Sequence, residues 1–435
     1  MTSPLTRNDR QGEFPASWYA ATVDPPPLRP NLRGEQSADV CIIGAGYTGL
    51  TAARVLAAKG LSVIVLEAHR AGFGASGRNG GQVASGYNAP QRLLTKKLGA
   101  GVARDLWNLT QEAKTDVADN CAAFSPDAQY KSGIAHGCYS AKERAAHHDD
   151  ARFLQDTYGY DQIKTYGRDD FADVVASPLY DGGTIDWGGA HIHPLRYALR
   201  LAKAAENAGA VIYENSAVHH IDKGAKVTLR TSKGQIKADH LIIATNGYIA
   251  GLERKVAATI MPINSFICAT APLNEDQNNI LKKDIAVEDS KYFVNYYRMS
   301  EDNRLLFGGR ASASIAFPDD IGAMLRPRFT ALFPTLENVK IDYAWGGTLG
   351  VTMTGLPAVQ RIDKNTLSAG GFTGHGVALS GLCGKVMAEA IAGQAARFDT
   401  LSALPAPAFP GGPALGRPLL QLFLTWNILR EKFGL

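Results

Sequence analysis

A strand, a glycine-rich turn, a helix and a second strand follow one another between residues 38 and 67. Residues 40–43 form a short apolar run that is typical of a buried parallel strand, and residues 63–66 form another. Residues 48–59 are rich in Ala and Leu and are closed by Gly60, which predicts a helix with a glycine cap. This β-α-β unit predicts an α/β domain of the Rossmann type.

The turn inside this unit carries a motif for binding pyrophosphate. Residues 44–49 read Gly-Ala-Gly-Tyr-Thr-Gly, in which Gly44 allows the tight turn, Gly46 lets phosphate approach the backbone and Gly49 lets helix and strand pack closely. The helix that starts here presents free N–H groups to the phosphates. Glu67 ends the second strand, where a carboxylate accepts ribose hydroxyls and repels the extra phosphate of NADP. The motif therefore predicts a dinucleotide, either NAD or FAD.

Two further glycine-rich strips favour FAD. Residues 74–83 offer small residues for close approach and the hydrogen-bonding side chains Ser76, Asn79 and Gln82, which suits a long cofactor; the alternative is a mobile surface loop. Residues 370–377 repeat the order of strand, glycines and helix, and this helix N-terminus would stabilise negative charge on a reduced flavin. His375 in this strip either faces the ring or is fixed by the backbone without a proton role.

The chain as a whole divides into two kinds of pattern. We assign residues 1–90, 181–258 and 346–435 to a discontinuous FAD-binding domain. Residues 91–180 and 259–345 are assigned to a substrate-binding domain, of which the first part looks helical and the second alternates apolar and polar residues. The expected fold class is α/β (α+β overall), with a Rossmann-like FAD-binding domain beside a domain that contains an antiparallel β-sheet.

Composition and charge exclude several classes of protein. The net charge is only +4 and the basic residues are scattered, so nucleic acid is not an expected partner. The five cysteines lie far apart without a CxxC pair, which argues against disulfides and a metal site and favours a cytoplasmic protein with reduced thiols. We expect no signal peptide and no membrane span. The nearest candidate, residues 419–429, is too short to cross a bilayer. We expect it to pack as a helix against the protein body; the alternative is a helix that lies on a membrane surface.

A series of motifs spread over nearly the whole chain resembles the D-amino-acid-oxidase-like flavoprotein superfamily. In chain order they are SWY, DVCIIGAGYTGL, GASGRNGGQ, HIHPLRY, ATNGY, SFICATAPL, FGGR, GLPAV and GFTGHGV. SWY and GASGRNGGQ are the more specific of them and resemble the γ-glutamylputrescine oxidoreductase branch. The resemblance implies an FAD domain built from three segments, an antiparallel sheet that roofs the flavin, and oxidation of a C–N bond, usually with O2 as acceptor.

The resemblance also implies which residues bind FAD. They are Gly44, Gly46, Tyr47, Thr48, Gly49, Glu67, Ala68, Ala75, Ser76, Arg78, Asn79, Gly80, Gly81, Gln82, Val218, Thr245, Asn246, Gly374, His375, Gly376 and Val377.

Departures from related branches narrow the chemistry. Where sarcosine-oxidase-like relatives carry a lysine that grips the substrate carboxylate, this chain has Ala378. The residues through which other relatives attach FAD are also missing: residues 346–359 contain no cysteine, and Asn79 and Gly80 stand where a histidine would be. We therefore expect non-covalent FAD and a substrate other than a small N-methyl amino acid.

The expected function is oxidation of an amine to an imine and then an aldehyde, with a γ-glutamylated polyamine such as γ-glutamylputrescine as substrate and O2 as acceptor. Catalytic roles are expected from His375 and Tyr296. Substrate contacts are expected from Tyr292, Tyr296, Arg298 and Trp345. A strand predicted over residues 292–298 places the first three on one face, although the aromatic side chains would equally serve as sheet packing. Arg298 would hold a remote carboxylate or merely pair with Glu301.

Other functions remain open at this point. They are a flavin dehydrogenase of an N-methyl or secondary amino acid that uses another acceptor, an NAD-dependent dehydrogenase, and a non-catalytic flavin subunit of a larger assembly. The sequence predicts no oligomeric state.

Overall fold

The structure, a computed structural model, describes residues 4–249 and 251–412 together with residues 416, 418, 420–422 and 426. Most of the stretch 419–429 lies outside these residues, so its packing as a helix stays a prediction. Within the described chain, no helix has both the length and the apolar character that crossing a membrane requires.

The described chain contains two β-sheets. In chain order the strands are β1 (Gly34–Ile43), β2 (Val63–Leu66), β3 (Gln82–Val83), β4 (Lys131–Cys138), β5 (Ile163–Tyr166), β6 (Gly182–His191), β7 (Val211–Tyr213), β8 (His220–Asp222), β9 (Val227–Arg230), β10 (Gly234–Ile243), β11 (Met261–Thr270), β12 (Ala286–Asp289), β13 (Tyr296–Met299), β14 (Leu305–Ser312), β15 (Ile341–Val351), β16 (Ala358–Asp363) and β17 (Thr366–Gly370). The first sheet contains β1, β2, β7–β10, β16 and β17, and the second contains the others.

Helices cover the sheets and connect their strands. In chain order they are α1 (Pro4–Arg7), α2 (Trp18–Ala21), α3 (Tyr47–Ala58), α4 (Gln91–Leu98), α5 (Ala100–Phe124), α6 (Ala141–Tyr158), α7 (Arg168–Ala172), α8 (Pro194–Asn207), α9 (Arg254–Thr259), α10 (Ile321–Leu332), α11 (Gly376–Ile391) and α12 (Ala396–Ser402). Single 3₁₀ turns occur at Ala75–Gly77, Pro126–Ala128, Asn246–Tyr248, Asn278–Ile280 and Pro334–Leu336. The helix expected after His193 is α8, in which Pro194 takes the first position and Nδ1 of His193 accepts a hydrogen bond from the N–H of Arg196 at 3.2 Å.

The first sheet is covered on both faces. Its central strand β1 pairs in parallel with β10 and β2, and β10 pairs in parallel with β17. Val40 and Ile42 point into a core shared with α3, α5, α8 and α11, whereas Cys41 and Ile43 point into the core on the opposite face. This arrangement confirms the predicted β-α-β unit and the Rossmann-like domain.

The second sheet is antiparallel except where β12 lies parallel to β4, and its strand order is β15-β11-β14-β13-β12-β4-β6-β3, with β5 beside β6. One face packs against α7 and α10 through Phe171 and Phe329. The other face meets α2 and α8, where Trp18 and Leu195 pack with Trp345. Because α8 also belongs to the core of the first sheet, this face is joined to the first sheet. The predicted antiparallel sheet is confirmed.

Two elements pack with a different sheet from the one that the predicted domain assignment suggests. β6 lies among the residues assigned to the FAD-binding domain but pairs in the second sheet, while α5 lies in a substrate-domain segment but packs in the core of the first sheet. The segment expected to be helical also contributes β4 and β5. β4 reads KSGIAHGC, and its glycines and small residues obscure the alternation of a strand. The domain boundaries themselves stay a prediction.

The strand predicted over residues 292–298 is shorter in the structure. β13 begins only at Tyr296, because a carboxylate oxygen of Asp289 accepts hydrogen bonds from the backbone of the following turn, including the N–H of Asn295 at 2.9 Å. Tyr292 lies in this turn and does not share a strand face with Tyr296.

Candidate active site

A cavity of about 1710 Å³ lies between the two sheets. Most small-molecule pockets measure roughly 300–1,000 Å³, so this one has room for an extended cofactor and a substrate together. Of the residues predicted to bind the cofactor, all except Gly49 and Gly81 line it. The lining residues among them are Gly44, Gly46, Tyr47, Thr48, Glu67, Ala68, Ala75, Ser76, Arg78, Asn79, Gly80, Gln82, Val218, Thr245, Asn246, Gly374, His375, Gly376 and Val377.

Gly49 and Gly81 support the cavity wall instead of lining it. A Cβ atom on Gly49 would lie 2.0 Å from the carbonyl oxygen of Gly44, and one on Gly81 would lie 2.1 Å from that of Ile192. No side chain fits at such distances, so each glycine lets two backbone segments approach. For Gly49 this is the close packing of helix and strand that the motif predicts. This is a supporting role, and the predicted contact of both glycines with the cofactor stays a prediction.

Hydrogen bonds join Glu67 and the glycine-rich residues 74–83, hereafter the second strip, to the start of α3. Oε2 of Glu67 accepts from the N–H of Ala45 at 2.8 Å, and Oε1 accepts from that of His69 at 2.9 Å. Burial nevertheless raises the pKa of Glu67 to about 7. Oγ of Ser76 accepts from the N–H of Tyr47 at 3.0 Å, which holds the second strip against α3. The carboxylate therefore lies where the ribose beside a pyrophosphate would be bound.

Several polar atoms on the cavity wall are buried without a hydrogen-bond partner among the described residues. They are Nη2 of Arg78, Oδ1 of Asn215, Oγ1 of Thr245 and Nδ1 of His375. Buried polar groups are normally satisfied, so a polar ligand that runs along the cavity fits this wall. α11 adds free N–H groups, since it begins after His375 without a side-chain cap. The residues present therefore fit a dinucleotide cofactor.

His375 lines the cavity in front of α11. Burial lowers the pKa of its ring, although Glu288 opposes this shift, so the ring is neutral at pH 7. A neutral imidazole offers one donor and one acceptor but no charge. Its predicted catalytic role stays a prediction.

Tyr296 lies where the second strip meets the second sheet. A Cβ atom on Gly80 would lie 2.8 Å from the ring of Tyr296, so the ring and this strip are in contact. Oη of Tyr296 lies 3.1 Å from Oγ of Ser265, and burial raises the pKa of the phenol, which stays neutral. Tyr296 lines the cavity, as we expected of a substrate contact. Tyr292 lines it too, with 53% of the residue exposed.

Arg298 does not line the cavity, so its predicted contact with substrate is corrected. Its Nε donates to the carbonyl oxygen of Gly80 and its Nη2 to that of Ile192, both at 3.1 Å. Only 6% of the residue is exposed. The alternative partner Glu301 is bound by Arg196 instead. Arg298 therefore holds the second strip against the chain beside β6.

Trp345 is also absent from the cavity wall, and its predicted substrate contact is corrected in the same way. Its Nε1 donates to the carbonyl oxygen of Arg78 at 3.0 Å. The guanidinium of Arg78 donates to the carbonyl oxygens of Phe73 at 2.9 Å and Gly346 at 3.0 Å, and pairs with Asp9 at 3.1 Å. These bonds fix the second strip between Asp9, near the N-terminus, and β15.

Glu288 lines the cavity, although it was not predicted from the sequence. It lies on β12 directly opposite Tyr296, and its Oε1 is 3.2 Å from Nδ1 of His136 on β4. Burial raises the pKa of Glu288, but the hydrogen bond to His136 and the electrostatic interaction with its ring outweigh burial, so the pKa of Glu288 lies below its usual value. The carboxylate is therefore negative at neutral pH. The short run AVED carries no signal for this, because nothing in it shows which side chain faces a cavity.

Behind Glu288, His136 groups with Cys138 and His147, and their potential ligand atoms lie within 4.8 Å of one another. The geometry does not suit a metal ion. The rings of His136 and His147 stack with centroids 4.1 Å apart and planes inclined by 27°, and such planes intersect far beyond the roughly 2 Å of a zinc–imidazole bond. Burial lowers the pKa of His147 to about 4, so this ring stacks in its neutral form. The pair serves to hold His136 beside Glu288.

Arg310, the last residue of the motif FGGR, also lines the cavity and was not predicted from the sequence. It is the extra residue of a β-bulge in β14, since Ser265 pairs with Ala311 while Phe266 pairs with Gly309. Its φ of 60° lies in the left-handed region, and its side chain is exposed. The bulge depends on the register of β14 with β11, so no local sequence pattern predicts it.

Known proteins with similar sequences agree with the assignment of this cavity as a dinucleotide site. The sequence matches the family model described as FAD dependent oxidoreductase over residues 39–390. It is 38% identical over 418 residues to the probable oxidoreductase OrdL of Rhizobium meliloti (strain 1021), which covers 96% of this chain and 97% of that protein. It is 35% identical over 424 residues to the gamma-glutamylputrescine oxidoreductase of Escherichia coli (strain K12), which covers 97% of this chain and 99% of that protein.

Solved structures share the fold at low sequence identity. Glycine oxidase from Geobacillus kaustophilus matches with a TM-score of 0.69 at 20% identity, over 82% of this chain and 95% of that one. L-proline dehydrogenase from P. horikoshii matches with a TM-score of 0.66 at 20% identity, over 83% of this chain and 94% of that one. The family match spans the three strips that line the cavity, whose unpartnered polar atoms fit a dinucleotide. The chain belongs to the FAD dependent oxidoreductase family, and its cofactor is FAD.

Proposed function

We propose that this enzyme oxidises an amine at the carbon beside the nitrogen, and that its substrate is a γ-glutamylated polyamine such as γ-glutamylputrescine, with O2 as electron acceptor. The observation that carries the proposal is the ionised carboxylate of Glu288 on the cavity wall beside Tyr296. Such a carboxylate binds an ammonium group through charge-assisted hydrogen bonds. The relative from Escherichia coli named gamma-glutamylputrescine oxidoreductase supports this substrate.

FAD, when bound, supplies the two-electron chemistry by accepting the hydrogen and electron pair of the carbon beside nitrogen, after which the imine hydrolyses to aldehyde and ammonia and O2 takes up the electrons as hydrogen peroxide. The residues of the chain bind and orient the amine. Glu288 accepts hydrogen bonds from the ammonium, and the neutral ring of Tyr296 forms the wall beside it.

Proton loss from the bound amine governs the rate at neutral pH. An alkylammonium with a pKa of about 10.4 reaches its neutral form at pH 7 at a cost of roughly 4–5 kcal/mol. A carboxylate next to the ammonium stabilises the charged form and increases this cost. The rate of amine oxidation is therefore expected to rise with pH.

The residue type at position 378 argues against a short amino acid as substrate, because Ala378 offers no cation to a carboxylate. Only 2% of Ala378 is exposed, and it packs in the core of the first sheet. Losing one hydrogen bond to a charged group costs about 1.5–3 kcal/mol, and a short amino acid has no distant atoms with which to replace it. A long amine can use remote binding energy to position its reacting carbon.

Product analysis of the purified holoenzyme tests this function. We expect γ-glutamylputrescine to yield aldehyde, ammonia and hydrogen peroxide in equal amounts, and sarcosine and D-alanine to yield little of each. Turnover of sarcosine at or above the rate with γ-glutamylputrescine would contradict the substrate. Turnover that needs an artificial acceptor and yields no peroxide would contradict the proposed electron acceptor but not the substrate.

A further inference from the structure

We propose that Arg310 binds the remote carboxylate of the substrate and so selects amines that carry a carboxylate about 12 Å from the reacting nitrogen. This inference rests on the proposed amine oxidation and adds the group that recognises the far end of the molecule. It replaces Arg298, which is buried behind the second strip.

The backbone at Arg310 is strained, and this strain accompanies a bulge that places Arg310 on the cavity wall. Non-glycine residues rarely adopt its φ of 60°, and a β-bulge beside a binding site redirects side chains. Arg310 and Ala311 both line the cavity, which neighbouring residues of a regular strand would not do. Strain of this kind gathers at functional sites. Of the six non-glycine residues with positive φ in the described chain, four line this cavity: Asn215, Asn246, Arg310 and Thr373.

The guanidinium of Arg310 is available to a ligand. It forms no hydrogen bond or ion pair with any residue that the structure describes, whereas Arg78 on the same wall is paired with Asp9 at 3.1 Å. Lys97, on α4, is the remaining exposed cation on the described wall. A guanidinium binds a carboxylate through two parallel hydrogen bonds, a geometry that an ammonium lacks.

The register of the second sheet sets the distance between Arg310 and Glu288. Glu288 pairs with Tyr296, which pairs with Gly308, so two strand spacings and two residues along β14 separate them. At about 4.8 Å per strand and about 3.3 Å per residue, their Cα atoms lie about 12 Å apart. γ-Glutamylputrescine has about ten bonds between its free amine and its α-carboxylate, which span about 12 Å when extended. The free amine and the α-carboxylate of this substrate are therefore separated by about the same distance as the Cα atoms of Glu288 and Arg310.

Single-turnover reduction of the FAD-loaded enzyme under anaerobic conditions tests the role of Arg310. The amines are γ-glutamylputrescine, its analogue with an amide in place of the α-carboxylate, and putrescine. Arg310→Gly removes the side chain and suits the positive φ, so this variant should fold and keep its flavin. Arg310→Lys keeps the positive charge but cannot form the two parallel hydrogen bonds of a guanidinium. Lys97→Gln is the matched control, because it removes the other exposed cation.

We expect Arg310→Gly to weaken binding of γ-glutamylputrescine about 10- to 100-fold with little change in the limiting rate of reduction. Binding of putrescine and of the amide analogue should not change. The affinity of Arg310→Lys for γ-glutamylputrescine should fall between those of the wild type and Arg310→Gly. The affinity of Lys97→Gln should match that of the wild type. Equal losses for the acid and its amide, or the same loss in Lys97→Gln, would overturn the role of Arg310. Failure of all three amines to reduce the wild-type flavin would instead overturn the proposed function.

Discussion

Nδ1 of His136 lies 3.2 Å from Oε1 of Glu288, in register across the parallel strands β4 and β12. The ring of His136 is itself held by stacking on His147. One carboxylate on the cavity wall is thereby fixed in position and kept ionised, while the neutral phenol of Tyr296 lies beside it. A fixed negative charge next to an aromatic ring suits a cationic amine.

Glu288→Gln should weaken amine binding about tenfold or more, because a hydrogen bond to a charged group contributes about 1.5–3 kcal/mol. It should also shift the pH profile of flavin reduction toward lower pH. The carboxylate raises the pKa of the bound amine and an amide does not, so the reactive neutral amine forms at lower pH in the variant. Anaerobic stopped-flow measurements between about pH 7 and pH 10 check both effects. An unshifted profile would count against contact between Glu288 and the amine.

FAD binding should weaken as the pH falls below about 7, where Glu67 of the apoprotein takes up a proton because burial raises its pKa to about 7. Ribose hydroxyls that donate to the carboxylate favour its ionised form, so bound FAD lowers this pKa. The affinity should therefore be constant above about pH 7 and fall by up to about tenfold per pH unit below it.

Titration of the apoprotein with FAD at several pH values measures this linkage. Glu67→Gln should bind FAD more weakly and without the pH dependence, and Glu67→Lys should not retain FAD. A wild-type affinity that stays constant from about pH 8 to about pH 5, or wild-type flavin content in Glu67→Lys, would contradict the role of Glu67.

Acid or heat denaturation should release intact FAD from the purified yellow protein. None of the described residues on the cavity wall is a cysteine, and the five cysteines are buried elsewhere. Asn79 and Gly80 replace the histidine through which some relatives attach the flavin. Separation of supernatant and precipitate after denaturation checks this, and flavin that remains with the precipitated polypeptide would show the expectation to be wrong.

Arg298→Ala should affect the fold and not the choice of substrate. The variant leaves the carbonyl oxygens of Gly80 and Ile192 without their charged donor, which should lower the free energy of unfolding by about 1.5–3 kcal/mol. Rates with γ-glutamylputrescine and putrescine should change by the same factor. Thermal denaturation, flavin content and the two rates are the readouts. A selective loss with γ-glutamylputrescine would restore Arg298 as the carboxylate anchor.

The nucleotide-binding part of the fold could be predicted because its signals are local. Gly44 and Gly49 stand at fixed spacing since a tight turn and a close helix–strand approach require them there. Pro194 marks the start of α8 for an equally local reason, as its missing N–H costs nothing at the first helical position.

The part of the cavity wall that holds Glu288 and Arg310 could not be predicted in this way. Glu288 and Arg310 reach one wall only through the pairing of β12, β13 and β14, and the bulge at Arg310 arises from its register with β11. Alternation suggested that Arg298 faces the substrate, but a period of two does not show whether a face is open or covered by another segment. Such information resides in contacts between residues far apart in the chain.

Reduction of bound FAD by amines tests the central claim most directly. The holoenzyme is mixed anaerobically with γ-glutamylputrescine, sarcosine or D-alanine, and the loss of the flavin's visible absorbance is followed in a single turnover. We predict that γ-glutamylputrescine reduces the flavin faster than either amino acid, because Glu288 binds its amine and no cation at Ala378 holds a short carboxylate. Rapid reduction by sarcosine, with γ-glutamylputrescine inert, would contradict the account.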